Sequence, residues 1–135
     1  MKLGIFLPLL GARDAGGLAQ FLTTAARTAE ECGFHSLWFP EHVVLFDEFK
    51  SKYPYSADGS LPMPSGYGLL EPFTAIAYAA AVTSQIRLGS GICILPQRSA
   101  IYTAKQVADL YLIQVANRTW RRILGEREGA DGASV

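Results

Sequence analysis

The adjacent carboxylate and imidazole of Glu41 and His42 follow a short apolar run, residues 35–40, that is typical of a buried strand. In proteins built from parallel strands and helices, catalytic and ligand-binding groups gather beyond the carboxyl ends of the strands. An imidazole placed there can donate a hydrogen bond to a carbonyl or exchange a proton near neutral pH. His42 is therefore the candidate catalytic residue. The alternative is that His42 only fastens the following loop through a backbone hydrogen bond, and position alone favours neither reading.

A second candidate site is the glycine-interrupted segment 89–94, in which Gly89 and Gly91 break an otherwise apolar run. Glycines inside a buried strand weaken it, and they often mark a bulge or a point where a ligand approaches the backbone. Close packing of the strand against its neighbours is the competing explanation, and without further observations it is slightly favoured.

Several familiar catalytic motifs are absent from the sequence. Gly11 and Gly16 have the separation of a phosphate-binding loop, but Gly17 and Leu18 stand where that loop needs Lys and Ser or Thr. No G-x-G-x-x-G turn, no G-x-S-x-G elbow and no second His after Glu41-His42 occurs. With 2 histidines in the chain, a His-rich zinc site cannot be built, so we expect no metal.

The elements that must position these residues begin with a buried strand over residues 3–7 and a helix that starts at Ala15, with Asp14 as its cap. Gly33 is placed to end that helix in a left-handed conformation, before the strand over 35–40. Strand, helix and strand in this order predict a right-handed unit with parallel strands. The apolar stripe of the helix comprises Leu18, Phe21, Leu22, Ala25, Ala29 and Cys32.

The second half of the sequence continues the alternation after a long, aromatic-rich segment at 41–70, which is predicted to be a functional loop. Pro72 suits the first turn of a helix, residues 86–95 are predicted to form a third strand, and Ser99 can cap a further helix. Residues 121–125 could begin a fourth strand. The order predicts an α/β fold with a parallel sheet. The inward stripe expected for the last helix comprises Ala104, Val107, Ala108, Tyr111 and Val115.

The amino-acid composition excludes several classes of partner. The chain has 135 residues, of which 50% are hydrophobic and 18% charged, and its formal net charge is +0. That balance fits one folded domain and argues against a nucleic-acid partner. No apolar run approaches the roughly 18 residues of a membrane span, so no membrane partner is expected. Cys32 and Cys93 have neither disulfide nor zinc spacing and are expected to be reduced core thiols of a cytoplasmic protein.

An ordered set of segments resembles one known family. The most characteristic are Pro40-Glu41-His42 and Leu95-Pro96-Gln97-Arg98. The full set, in chain order, covers residues 2–8, 29–42, 58–59, 72–77, 83–91, 95–98 and 104–108. Together these segments resemble the bacterial luciferase-like monooxygenase superfamily of flavin- and deazaflavin-dependent oxidoreductases, and in particular its coenzyme F420-dependent branch.

The resemblance implies the N-terminal portion of a TIM (β/α)8 barrel, with the cofactor ring bound at the carboxyl face of the strands. The implied activity is an oxidoreductase or monooxygenase that acts on paired donors and a small-molecule substrate, using coenzyme F420 or alternatively FMN. Gly91, Ile92 and Cys93 match the bulge of the third strand that backs the ring, often through a non-proline cis peptide. His42 matches a position near the ring and the substrate, and the loop at 41–70 would roof the pocket.

The resemblance covers about residues 1–110. We expect residues 1–113 to form a partial barrel domain, whereas 114–135 diverge and are expected to be a poorly ordered tail. A complete barrel needs about 250 residues, so the sequence is expected to be a truncated or frameshifted copy. We therefore expect weak cofactor binding, or none, by this chain alone. The alternative function, from another class, is a non-catalytic remnant or a self-associating half-barrel module.

Overall fold

The computed structural model describes residues 1–8, 15–44, 51–60 and 69–131, and describes side chains in these ranges except at 15–16 and 117–131. Strands and helices alternate along the chain. They are β1 (Gly4–Phe6), α1 (Ala15–Glu31), β2 (Ser36–Phe39), α2 (Pro72–Val82), β3 (Arg87–Ser90), a 3-10 turn (Leu95–Gln97) and α3 (Ala100–Asp131). The predicted α/β class is confirmed.

The three strands form one parallel sheet in the order β1-β2-β3, which is also their order in the chain. Ile5 lies beside Leu37, which in turn lies beside Leu88. At the amino end of the sheet, the His35 amide donates to the Leu3 carbonyl, and the His35 carbonyl accepts from the Arg87 amide. The predicted strand–helix–strand unit is confirmed, and this arrangement is consistent with part of a barrel.

Local sequence explains where α1 and α2 stop and start. Gly33 follows α1 with φ +76°, a left-handed conformation that glycine adopts without steric cost, so the predicted end of this helix is confirmed. Pro72 occupies the first turn of α2, as expected. The cap of α2 was not predicted: the Glu71 carboxylate accepts from the Thr74 amide at 2.8 Å.

The core lies between the sheet and the two helices α1 and α2. Phe39, Leu37 and Leu22 are its largest fully buried apolar side chains. Small residues on α2 let that helix approach the sheet closely, and among them Ala75 and Ala79 are completely buried. The remaining buried members of this core are Ala26, Ala29, Phe73, Ile76, Ile86 and Leu110.

The third strand is shorter than predicted, because regular pairing ends at Ser90 rather than at residue 95. The Gly91 amide still donates to the Phe39 carbonyl at 2.8 Å. The Ile94 amide instead donates to the Glu41 carboxylate, and Pro96, which has no amide hydrogen, lies in the 3-10 turn that follows. Pairing therefore stops where a side chain takes over the backbone donors.

Two expectations about the last helix are wrong. Residues 121–125 lie inside α3, so they form no fourth strand. Among the side chains of α3 that the structure describes, at 100–116, Thr103 and Leu110 are buried, whereas Val107 and Tyr111 of the predicted inward stripe are exposed. Within the residues that the structure describes, no helix is apolar over a stretch long enough to cross a membrane. The division into 1–113 and 114–135 stays a prediction.

The cysteines also differ from expectation. Cys32 is exposed at the end of α1, so the prediction of a core thiol is wrong there, and Cys93 is half-buried. The predicted cap Asp14 lies outside the described residues.

Candidate functional site

Both candidate segments lie at the carboxyl edge of the sheet. Phe39 and Ser90, the last residues of β2 and β3, lie side by side. The chain continues from Phe39 into Glu41 and His42, and from Ser90 into residues 91–94. The two segments that the sequence singled out separately therefore follow neighbouring strands at the same edge.

Glu41 connects the two segments. Its side chain is buried, at 2% exposure. One carboxylate oxygen accepts from the Ile94 amide at 2.5 Å, and the other accepts from Nε of Arg98 at 2.6 Å and forms an ion pair with its Nη2. A buried carboxylate is tolerated when it is paired and hydrogen-bonded in this way. This role of Glu41 was not predicted, because its partners lie more than fifty residues away along the chain.

Arg98 binds a second carboxylate as well. Its Nη2 lies 2.5 Å from Oε1 of Glu71, and its guanidinium stacks 4.4 Å from the centre of the Phe73 ring. Burial acts to lower the pKa of Arg98, but the two carboxylates outweigh it and raise the pKa above its usual value. Burial likewise opposes ionisation of Glu71, yet Arg98 and the amides of α2 leave the pKa of that carboxyl lowered. We call Glu41, Glu71 and Arg98 the rim cluster.

His42 is exposed, directly beyond the buried Glu41. Among the described residues, no hydrogen bond of its imidazole is found, and the alternative that His42 fastens the loop stays open. The loop that follows it is described only in part, at 51–60, where the Tyr53 amide donates to the Gly59 carbonyl and the rings of Tyr53 and Tyr55 meet edge to face. The catalytic role of His42 and the roofing role of the loop both stay predictions.

The two glycines of the second candidate segment are explained by packing. A Cβ on Gly89 would lie 2.8 Å from the ring of Trp38, and a Cβ on Gly91 would lie 2.5 Å from the ring of Phe6. The rings of Phe6 and Trp38 lie on the face of the sheet that points away from α1 and α2. The peptide bonds that the structure describes are all trans, so the cis peptide implied by the resemblance is not found. Contact of Gly91, Ile92 and Cys93 with a cofactor stays a prediction.

The edge presents both apolar and polar groups to a ligand. Ile92 and Leu95 are exposed at 58% and 60%, and Cys93 between them is half-buried. Exposed apolar side chains suit the face of a planar ring. Arg98 is engaged by two carboxylates, so it is not available to neutralise a phosphate. The described residues therefore fit the ring of such a cofactor rather than its phosphate.

The part of the chain that the structure describes contains no candidate metal site. Among those residues, no group of three or more His, Cys, Asp or Glu side chains is close enough together to hold an ion.

Comparison with known proteins finds mycobacterial relatives. Relatives include the uncharacterized protein Rv0953c of Mycobacterium tuberculosis, 35% identical over 86 residues, which are 64% of this chain and 30% of the relative. The uncharacterized protein Rv0940c of the same organism is 33% identical over 98 residues, 73% of this chain and 34% of the relative. The chain thus spans about a third of the length of these curated relatives.

The family comparison covers more of the chain than either relative does. Residues 1–113 match the family described as luciferase-like monooxygenase, over a range that includes both candidate segments and the rim cluster. The chain belongs to the luciferase-like monooxygenase family.

Proposed function

We propose that this chain carries the substrate-facing edge of an oxidoreductase that transfers hydride between a deazaflavin, coenzyme F420, and a small organic substrate. FMN is the alternative cofactor. The observation that supports the proposal is that the segment 41–42 and residues 91–94 follow neighbouring strands at the carboxyl edge of a parallel sheet, where the Glu41 side chain joins them through the Ile94 amide. Active sites of (β/α) barrels lie at this edge, and membership of the family adds the redox chemistry.

Each residue at the edge has a separate task in this proposal. When bound, the reduced cofactor supplies two electrons and a hydrogen nucleus as hydride. Ile92 and the backbone of Gly91 and Cys93 orient the ring and exclude water from one face. The imidazole of His42 donates a proton to the substrate atom adjacent to the carbon that is reduced, and so balances the charge of the added hydride.

The complete fold in this proposal is a TIM barrel. The structure describes a sheet of three parallel strands in sequential order, which is the pattern that an eight-stranded barrel repeats. The phosphate of the cofactor would be held by parts of the barrel that are not found in this edge, since Arg98 is already engaged.

A chimera tests the function of the edge directly. Residues 1–113 of this chain replace the matching segment of a full-length mycobacterial relative, and oxidation of reduced F420 by menadione is followed. We expect turnover, and we expect His42→Ala to lower kcat by about 100-fold, because a positioned general acid contributes at least that much. A folded chimera whose kinetics are unchanged by His42→Ala would remove the proposed role of that residue.

The isolated chain gives a second measurement. Fluorescence titration with F420 and with FMN is expected to show weak binding or none, because the edge fits the ring alone. A sub-micromolar dissociation constant together with turnover would contradict the expectation that this chain is incomplete as an enzyme.

A second candidate function is supported by exposed apolar surface. An apolar groove of about 280 Å³ lies between α1 and β1, where Ile5, Leu7 and Phe21 line it. On α3, Tyr111 and Leu112 are exposed at 68% and 62%. Contiguous apolar surface of this kind favours association. In this alternative, the chain is a non-catalytic module that associates with further copies of itself.

A further inference from the structure

Glu41 differs from the other acidic side chains of the described carboxyl edge in its burial and in what it binds. It is 2% exposed, and it joins β2 to the segment after β3 through the Ile94 amide. Regular pairing between these strands has already ended, since the last backbone bond runs from the Gly91 amide to the Phe39 carbonyl. From that point onward, a side chain determines where the segment lies.

Arg98 closes the other end of the same segment. Its guanidinium binds Glu41 and Glu71, and it stacks on Phe73 of α2. Residues 92–97 are therefore held near their middle by the Ile94 amide and directly after their last residue by Arg98. Hydrogen bonds between charged groups are about twice as strong as neutral ones, so this is a stiff attachment.

We propose that Glu41 is a positioning residue, which fixes residues 91–94 against the end of β2 and so sets where Ile92 and Cys93 lie relative to His42. Its functional meaning rests on the proposed function, because those three residues are the ones assigned to the ring and the substrate. The geometric part of the inference does not depend on any cofactor.

Glu30 provides the comparison that separates positioning from general stability. Its carboxylate accepts from the amides of Ser84, Gln85 and Ile86, which precede β3 at the amino end of the sheet. Both glutamates thus bind backbone amides beside β3, but at opposite ends of it. A variant at Glu30 weakens the same sheet without touching residues 91–94.

The rate at which a thiol reagent labels Cys93 reports how firmly residues 91–94 are held. This rate can be measured on the whole chain without a cofactor. Cys93 is half-buried within the segment, and the exposed Cys32 serves as an internal standard for the thiol reagent. We expect Glu41→Gln, which keeps an acceptor for Ile94 but loses the charge, to raise the labelling rate of Cys93 at least about tenfold. That factor corresponds to about 1.4 kcal/mol. The rate of Cys32 should not change.

Two further variants decide between local release and general loosening. Arg98→Lys keeps the positive charge but loses the two-pronged geometry, so it should raise the Cys93 rate by less than Glu41→Gln does. Glu30→Gln should lower the melting temperature without a selective rise at Cys93. An unchanged Cys93 rate in Glu41→Gln would overturn the proposal, as would an equal rise in Glu30→Gln at a matched loss of stability.

An NMR titration with millimolar FMN separates this inference from the proposed function. In the wild-type chain, we expect FMN to shift the signals of Ile92, Cys93 and His42 together, and we expect Glu41→Gln to abolish that joint response. If FMN shifts none of them, the chain alone does not hold the ring and the chimera decides the proposed function, whereas the labelling rates still decide the positioning role. If FMN shifts all three equally in both proteins, the positioning role toward the ring is overturned.

Discussion

At the scale of single residues, Glu30 shows how one carboxylate can replace several backbone partners. It accepts from three successive amides, and its second oxygen accepts from the Ser84 hydroxyl at 3.2 Å. Partial burial acts to raise the pKa of Glu30, but the amides of Gln85, Ile86 and Ser84 stabilise the charged form more strongly. The pKa of this carboxyl is therefore lowered from its ordinary value of 4.5.

The lowered pKa of Glu30 makes stability depend on pH. Because the folded value lies below the unfolded one, the stabilisation is fully present above about pH 4.5 and is lost as the pH falls through the folded pKa. We expect Glu30→Gln to lower the free energy of unfolding at pH 7 by about 1–2 kcal/mol, measured by urea denaturation. The variant should also lose stability less steeply than the wild type below pH 4.5.

The neighbouring Glu31 is the matched control for that measurement. It is exposed on the same turn of α1, and Glu31→Gln should keep the acid dependence of the wild type. An identical acid dependence in the wild type and in Glu30→Gln would contradict the assignment.

The sequence predicts where a residue lies only when that location follows from the order of the strands. His42 could be assigned to the carboxyl edge because it comes directly after a strand of a parallel sheet. The partnership of Glu41 with Arg98 could not, because it depends on the register between β2 and β3 and on the path after β3. The packing roles of Gly89 and Gly91 likewise depend on which rings lie across the sheet.

At the scale of elements, the turn between α1 and β2 depends on one backbone conformation. Gly33 has φ +76°, and a Cβ added there would meet no atom within 4 Å. Any cost of substitution must therefore come from the backbone rather than from a clash. Two backbone hydrogen bonds close the helix at this turn. The Gly33 amide donates to the Glu30 carbonyl, and the Phe34 amide donates to the Ala29 carbonyl.

Substitutions at Gly33 should separate conformational cost from contact. We expect Gly33→Ala to lower the free energy of unfolding by about 1 kcal/mol, because an L residue pays roughly that to enter the left-handed region. Gly33→Asn should cost less, since asparagine tolerates this conformation. Thermal unfolding followed by circular dichroism measures both, and equal costs for the two variants would contradict the conformational explanation.

The error over α3 has a physical origin. Apolar residues occur on more than one face of this helix, so periodicity alone could not say which face is inward. The buried Thr103 and Leu110 lie about 100° around the helix from Ala104 and Tyr111 of the predicted stripe. Contact with α2 and β3 determines the orientation, and that contact is not encoded in local spacing.

At the scale of the whole molecule, the described part of the chain leaves apolar surface exposed in two places. One is the groove between α1 and β1, and the other comprises exposed apolar side chains of α3 such as Tyr111 and Leu112. Folded single domains rarely expose large contiguous apolar patches, so this surface is expected to be covered by protein.

Self-association is the testable form of that expectation. We expect light scattering after size exclusion to show a mass that rises with concentration, and we expect Tyr111→Glu to weaken association about tenfold or more, equivalent to about 1.4 kcal/mol. Tyr55→Glu is the matched control, because Tyr55 is also a largely exposed tyrosine but lies on the loop at 51–60. A monomer at every concentration would contradict the self-association.

The placement of Glu30 and Glu41 at opposite ends of a short sheet has a consequence for how the protein can change. Strands of about four residues separate the two carboxylates by roughly 13 Å, beyond the range at which substitutions usually couple. Substitutions at the carboxyl end of the sheet can therefore change specificity, while the contacts of Glu30 at the amino end keep the protein folded. Evolution, or a protein engineer, could alter the reactive end without first raising the stability of the fold.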